Sequence, residues 1–284
     1  MTKKKPDITG FFDGDIMNVI DIGSNSVRLL SNGKKTVITT RLAENMANGE
    51  LDKKSITRTV EGIIALKNSV SGACYVFATE AVRAANNKQE FLDQVKHATG
   101  LTVDVISGDT EAEISFLGAT NGYMGSAVVV DLGGASCEII FGNNSKIQYK
   151  RSFPFGCVKL VNLFAKDYAA IEQHVKSQLS NLPCFDADKY VAVGGTATSL
   201  AAMAQNLTAY DPNRVHGYLL QKSDISQLMQ ELASGKEFAT LSPMRKATVM
   251  QGATALKAIL SCLNKTKIEI SESDNLEGYA MRLM

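Results

Sequence analysis

The chain has 284 residues, 45% hydrophobic and 21% charged. That balance fits a folded protein of one large or two ordinary domains and excludes a disordered or fibrous chain. A net charge of +1 provides no global field to recruit nucleic acid or an anionic membrane, so any polyanion must be met by local charge.

No apolar run approaches the roughly 20 residues that span a bilayer, and no leader peptide is visible. Five scattered cysteines without a C-x-x-C pair read as reduced thiols in a cytoplasmic protein. The three histidines lack H-E-x-x-H spacing, which argues against a histidine metal site. Residues 1–16, a KKK run followed by DITGFFDGD, read as a disordered extension outside the core. Met17 to Asp21 is predicted as a strand that ends in the turn IGSNS, and VRLL begins the next strand. A third strand is predicted over Lys35 to Thr40, then a helix over Asp52 to Val70 with Asp52 as N-cap. Cys74 to Ala78 reads as a short buried strand, and Gln89 to Thr99 as a helix stopped by Gly100. After a strand over Leu101 to Ile106, Ser107-Gly108-Asp109 leads into a helix carrying Glu111 and Glu113.

The segment Ser126 to Phe141, SAVVVDLGGASCEIIF, reads as strand, glycine turn, strand: the β-branched run ends at Asp131, and Ser136 and Glu138 open the second strand. A strand over Ile147 to Phe153 and two helices over Val158 to Leu182 follow, ended by Pro183. Tyr190 to Val193 runs into Gly194-Gly195-Thr196-Ala197-Thr198-Ser199 and a helix of small residues. Helices over Ser223 to Ala233 and Pro243 to Leu263, a strand over Lys267 to Ile270 and a last helix complete the chain. Strands alternating with helices predict an α/β fold with a mixed sheet.

Asp21-x-Gly23-x-x-Ser26 repeats as Asp131-x-Gly133-x-x-Ser136 in the same strand–loop–strand context. The repeat predicts two similar α/β halves facing a cleft, with the boundary near Asn121-Gly122. Glycine loops expose several backbone N–H groups in a small space, and an anion is their natural partner. The N-terminus of the helix after Gly194 offers the same. Carboxylates beside such a loop repel phosphate unless a cation lies between, so phosphate plus a divalent metal is the first functional hypothesis. The alternative for each loop is a structural turn. The lone acids and arginines likewise have ordinary readings, as a turn cap at Asp131, a solvated helix face at Glu111, and surface ion pairs at Arg28 and Arg83. No loop matches a Walker P-loop or G-x-G-x-x-G in a βαβ unit.

The blocks NVIDIGSNSVRLL, ATEAVRAANN, SGDTEAEISFLGA, VVVDLGGASCEIIFG, SFPFGCVKL, VGGTATSLAA and VHGY, in this order, resemble the exopolyphosphatase/guanosine pentaphosphate phosphohydrolase (Ppx/GppA) family. The resemblance covers nearly the whole chain from Met17 and is to a short form without the C-terminal HD-type domain of longer members. It implies a duplicated actin-like fold (actin/hsp70/sugar-kinase, ribonuclease H-like), with halves at 17–122 and 123–284 flanking a cleft. It also implies a hydrolase that releases the terminal phosphoryl group of inorganic polyphosphate or of pppGpp with Mg²⁺, or another divalent cation such as Mn²⁺, and a homodimeric assembly.

Carried over residue by residue, the resemblance makes Glu111 the general base and assigns Asp131 and Glu138, with the symmetry-related Asp21, to the metal. Arg28 and Arg83 match phosphate-binding arginines. Ser24, Asn25, Gly133, Gly134 and Gly195 would cradle phosphate through N–H groups, and Ser136 and Thr196 would add hydroxyls. His216 fits a family block without evident chemistry. The chain departs from the family pattern at Thr110, Glu113, Lys159, Ala247 and Leu276, and at Ala135, whose Cβ would hinder the loop if a positive φ were needed there. Polyphosphate is the expected substrate and pppGpp the alternative. The departures also motivate a non-catalytic phosphate or nucleotide sensor, and the superfamily scaffold an ATP-dependent kinase or ATPase.

Overall fold

The β-branched run at the start of the first block forms β1 (Met17–Ile22), which pairs antiparallel with β2 (Ser26–Ser31), itself antiparallel to β3 (Lys34–Thr39). In this computed structural model residues 17–46, 49–120, 123–144 and 146–283 are described. The expected extension at 1–16 and the expected boundary at Asn121-Gly122 lie outside them. Helix α1 (Lys53–Asn68) leads to β4 (Ala73–Ala78), parallel to β1. Next come α2 (Glu80–Arg83), α3 (Lys88–Thr99) and β5 (Val103–Val105), parallel to β4. The Asp52 carboxylate accepts the Ser55 N–H at 3.1 Å as N-cap of α1, an interaction worth about 1 kcal/mol. Gly100 ends α3 at φ 74°, a conformation that favours glycine.

After α4 (Gly108–Thr120) the pattern repeats. Strands β6 (Ser126–Leu132), β7 (Cys137–Asn143) and β8 (Lys146–Phe153) form a second antiparallel meander. Helices α5 (Cys157–Phe164) and α6 (Tyr168–Gln178) precede β9 (Lys189–Val193), which is parallel to β6. The remainder is α7 (Gly195–Ala204), α8 (Pro212–Val215), β10 (Leu219–Gln221), α9 (Lys222–Ala233), α10 (Pro243–Lys246), α11 (Val249–Cys262), β11 (Lys267–Ile270) and α12 (Asn275–Leu283). The sheets run β3-β2-β1-β4-β5 and β10-β11-β9-β6-β7-β8. Each therefore centres on a strand, β1 or β6, that opens its own meander and takes a parallel neighbour on the other side. This is the duplicated actin-like α/β fold. The single helix expected over Pro243 to Leu263 is instead two: Ser242 caps α10, and the backbone of Thr248 leaves helical geometry at φ −128° before α11 begins.

Two helices join the sheets reciprocally. α4, which leaves the first sheet, packs Ala112 and Phe116 on Val129, Ile140, Val191 and Val193 of the second. α12, which leaves the second sheet, packs Leu276, Tyr279 and Ala280 on Val19, Leu30 and Phe77 of the first. The helices cross at Gly118 and Gly278, where a Cβ on either would collide with backbone carbonyls of Asp274 or Ile114. Close approach there requires glycine.

Candidate functional site

The ends of β1 and β6 point to one cleft, because both strands are central and both turn through the same tight loop. In each loop the first glycine N–H closes the turn on a serine carbonyl, Gly23 on Ser26 and Gly133 on Ser136, both at 3.0 Å. The loops touch, since a Cβ on Gly134 would lie 2.7 Å from the Ser24 Cβ. Between them is a cavity of about 90 Å³, room for several waters or one phosphoryl group.

Of the residues singled out from sequence, Asp21, Ser24, Asn25, Arg28, Glu111, Asp131, Gly133, Gly134, Ser136, Gly195 and Thr196 all line this cavity. Arg83 and Glu138 stand just behind the lining. The Gly133 N–H is engaged in its turn, so Gly133 contributes shape rather than a donor. Gly194, at φ 92°, lets the chain enter α7 without a side-chain cap, and Gly195 and Thr196 of its first turn, whose N–H groups have no partner within a helix, line the cavity. The Thr196 hydroxyl is fixed against Cys157 Sγ at 3.0 Å. Ala135 is not among the residues with positive φ, so its Cβ brings no backbone strain to the loop.

Both arginines engage carboxylates. Arg28 faces Asp21 across the β1–β2 ladder and donates to it through Nε at 2.9 Å and through Nη2, while Nη1 reaches Asp274. Arg83 Nη1 bonds Glu111 Oε2 at 3.0 Å and the Ile106 carbonyl at 2.8 Å, and its other nitrogen meets Glu80. Asp274 also takes Lys35, which reaches Glu277 at 2.8 Å. Burial pushes the Asp274 carboxyl up, but Arg28 and Lys35 outweigh it and hold the group at about 2.

The second loop is charged differently. Glu138 stands opposite Asp131 in the β6–β7 register, is 1% exposed, and accepts the Ser152 hydroxyl at 2.6 Å. Asp131 accepts the Ser115 hydroxyl at 2.9 Å. Burial, reinforced by Asp274 and Asp21, raises the Asp131 carboxyl to about 6. Glu138 is driven well above the carboxylate range by burial and then by Glu111 and Asp131. Glu111, in the first turn of α4, is raised to about 8, chiefly by burial and only partly opposed by Arg83. Burial likewise raises Asp21 despite its arginine. The cleft gathers more buried carboxyl groups than its cations offset, and so favours their protonated forms.

Two unpartnered atoms indicate what would complete it. Asp21 Oδ1, an acceptor, and Asn25 Nδ2, a donor, are buried without hydrogen-bond partners. A phosphate oxygen satisfies the amide, and a hard cation or its water satisfies the carboxylate. Among the described residues no three of His, Cys, Asp and Glu are grouped to hold a metal ion, so Asp21, Asp131 and Glu138 do not form a cage of protein ligands alone. The arrangement suits Mg²⁺, which takes one or two carboxylates and fills its shell with water and substrate oxygens.

Sequence reasoning missed Arg245. Its guanidinium lies over Gly195, where a Cβ would collide with it, and it lines the cavity. Burial lowers its pKa, and among the described residues it forms no ion pair with a carboxylate. A lone arginine beside Lys246 in a short helix carries no local signal. Thr79, Thr248 and Asn275 also line the cavity from segments remote in sequence.

With this geometry in hand, comparison with known proteins is specific. The model of the Ppx/GppA phosphatase family matches residues 19–284. Exopolyphosphatase 2 of Mycobacterium tuberculosis is 28% identical over 93% of this chain and 97% of its own length. A bifunctional 3-dehydroquinate synthase/phosphatase of Fusobacterium nucleatum is 29% identical over 91% of this chain, which spans 45% of that protein. The crystal structure of the Aquifex aeolicus Ppx/GppA family member superposes with a TM-score of 0.76 at 28% identity, covering 95% of this chain and 97% of that one. An exopolyphosphatase of Cytophaga hutchinsonii superposes with a TM-score of 0.80 at 22% identity and shares the fold. From its first strand to its last helix, the chain belongs to the Ppx/GppA phosphatase family.

Proposed function

We propose that the protein is an exopolyphosphatase that removes the terminal phosphoryl group of inorganic polyphosphate as orthophosphate, using a divalent cation and a water activated by Glu111. The observation that carries this reading is the pairing of an unsatisfied donor, Asn25 Nδ2, with an unsatisfied acceptor, Asp21 Oδ1, in one acid-rich cleft. Phosphoryl transfer depends on positioning and charge stabilisation more than on covalent chemistry. Asn25, Ser24, Ser136, Thr196 and the N–H groups at Gly134 and Gly195 bind and orient the terminal phosphate, and Arg245, which lines the cavity and pairs with no carboxylate among the described residues, adds a fork. Water adds to phosphorus, its proton passes to the Glu111 carboxylate, and the P–O bond breaks with its electrons leaving on the shortened chain. Arg83 orients Glu111 through the 3.0 Å contact. Asp21, Asp131 and Glu138 would hold Mg²⁺ or Mn²⁺, and the cation would screen charge on the phosphoryl oxygens.

Relatives named exopolyphosphatase support this choice of substrate. The test is phosphate release from polyphosphate of several lengths, pppGpp and ATP, with wild type and Glu111→Gln in parallel. Polyphosphate is expected to be the best substrate. A rate on pppGpp far above that on every polyphosphate would reverse the assignment. Binding without release in any divalent cation would establish a sensor. Among the described residues no helix is long and apolar enough to cross a membrane.

A further inference from the structure

The unpartnered acceptor on Asp21 has a counterpart from the other end of the chain. Asn275, at the start of α12, lines the same cavity, is 6% exposed, and its Oδ1 has no hydrogen-bond partner. Its neighbours fix it there. The Asp274 N–H donates to Glu277 Oε2 at 2.9 Å, and Asp274 Oδ1 accepts the Leu276 N–H at 3.1 Å and meets Lys35 at 3.3 Å. Asp274 Oδ2 is tied to Arg28, which is tied to Asp21. The ion-pair network that closes α12 onto β2 thus also delivers the Asn275 carboxamide to the cleft. A phosphate oxygen cannot satisfy a buried acceptor, whereas a hard cation or one of its waters can, and carboxamide oxygens are common ligands of such cations.

We propose that Asn275 is a neutral oxygen donor to the coordination shell of a divalent cation held with Asp21 and Asp131, so that the last helix completes a site begun by the first strand. This rests on the cation-assisted reading above and adds a residue to it. A neutral ligand suits the place, because a further carboxylate beside Asp274, Asp21 and Asp131 would add repulsion to an already acid-rich cleft.

The experiment counts free Mn²⁺ by electron paramagnetic resonance in substrate-free protein, for wild type, Asn275→Leu, Asn275→Asp and Asp131→Asn. Asn275→Leu is expected to weaken binding on the order of 10-fold, Asn275→Asp to tighten it, and Asp131→Asn to weaken it most. Unfolding midpoints with and without Mn²⁺ accompany each titration. Asn275→Asp should melt earlier than wild type without the cation and recover with it, which keeps the test valid if Asn275→Leu folds poorly. If both Asn275 variants bind and recover as wild type does while Asp131→Asn binds weakly, the role of Asn275 is overturned and the cation reading survives. If Asp131→Asn also binds as wild type, the cation reading itself falls.

Discussion

On the strand that follows the first loop an arginine, Arg28 of β2, stands across the ladder from Asp21, whereas on the strand that follows the second loop the same register position is Glu138 of β7, facing Asp131. The backbone has been kept to the hydrogen bond, with Gly23 and Gly133 closing equivalent turns, while the charge has been reversed. The first loop is neutralised from within, and its arginine reaches on to Asp274. The second opposes two acids whose hydrogen-bond partners are hydroxyls, Ser115 and Ser152, and so lacks a positive charge of its own. The two jaws share one shape, and a single side-chain difference leaves the second with two facing acids and no arginine of its own.

The largest expected effect lies on the helix between the loops. Glu111→Gln should lower kcat for phosphate release by roughly 10²–10⁴-fold with little change in KM, and full activity in this variant would remove Glu111 as base. Next, the loops should differ in stability. Arg28→Met strands Asp21, leaves Asp274 only Lys35 as a cation, and should cost about 3–5 kcal/mol in denaturant melts. Asp131→Asn, in cation-free buffer, should leave stability unchanged or raise it, because it relieves repulsion. Equal losses would erase the contrast.

The pH response sharpens the same point. Glu111 at about 8 and Asp131 at about 6 hold their protons more tightly folded than unfolded. Their stabilisation is therefore present at acid pH and is lost as pH rises through about 6 and then about 8. Without cation the protein should melt lower at about pH 9 than at about pH 5.5, and excess Mg²⁺ should flatten that slope. Asp274, at about 2, acts oppositely: its stabilisation is lost only as pH falls below the ordinary carboxylate range toward 2. The smallest effect is expected at Ala135→Gly. With no positive φ to relieve, glycine should only loosen the unfolded chain, costing about 0.4–1 kcal/mol in a thermal melt and changing turnover within a few-fold.

Local signals were legible in the sequence. Asp21 and Asp131 mark the ends of apolar strands, Asp52 and Gly100 bound helices, and the two glycine turns repeat by eye; all are decided within a few residues. Long-range contacts were not. Arg28 and Arg83 read as phosphate grips, and nothing in the local sequence announced that their forks also pair with Asp21, Asp274, Glu80 and Glu111. Arg245 and Asn275 reach the cleft through tertiary packing that no periodicity announces. The break between α10 and α11 and the three-residue β10 were missed because single turns and short edge strands leave too little pattern to detect.

The reciprocal crossing of α4 and α12 bears on how the chain must fold. Each sheet's inner face is sealed by a helix that begins at the end of the other sheet. A fragment cut before Asn275 would leave Val19, Leu30 and Phe77 bare, and one lacking 108–120 would uncover Val129, Ile140 and Val193. Neither half is expected to fold alone. The two should melt in one cooperative step, and fragments severed between α4 and β6 should recover structure only when mixed.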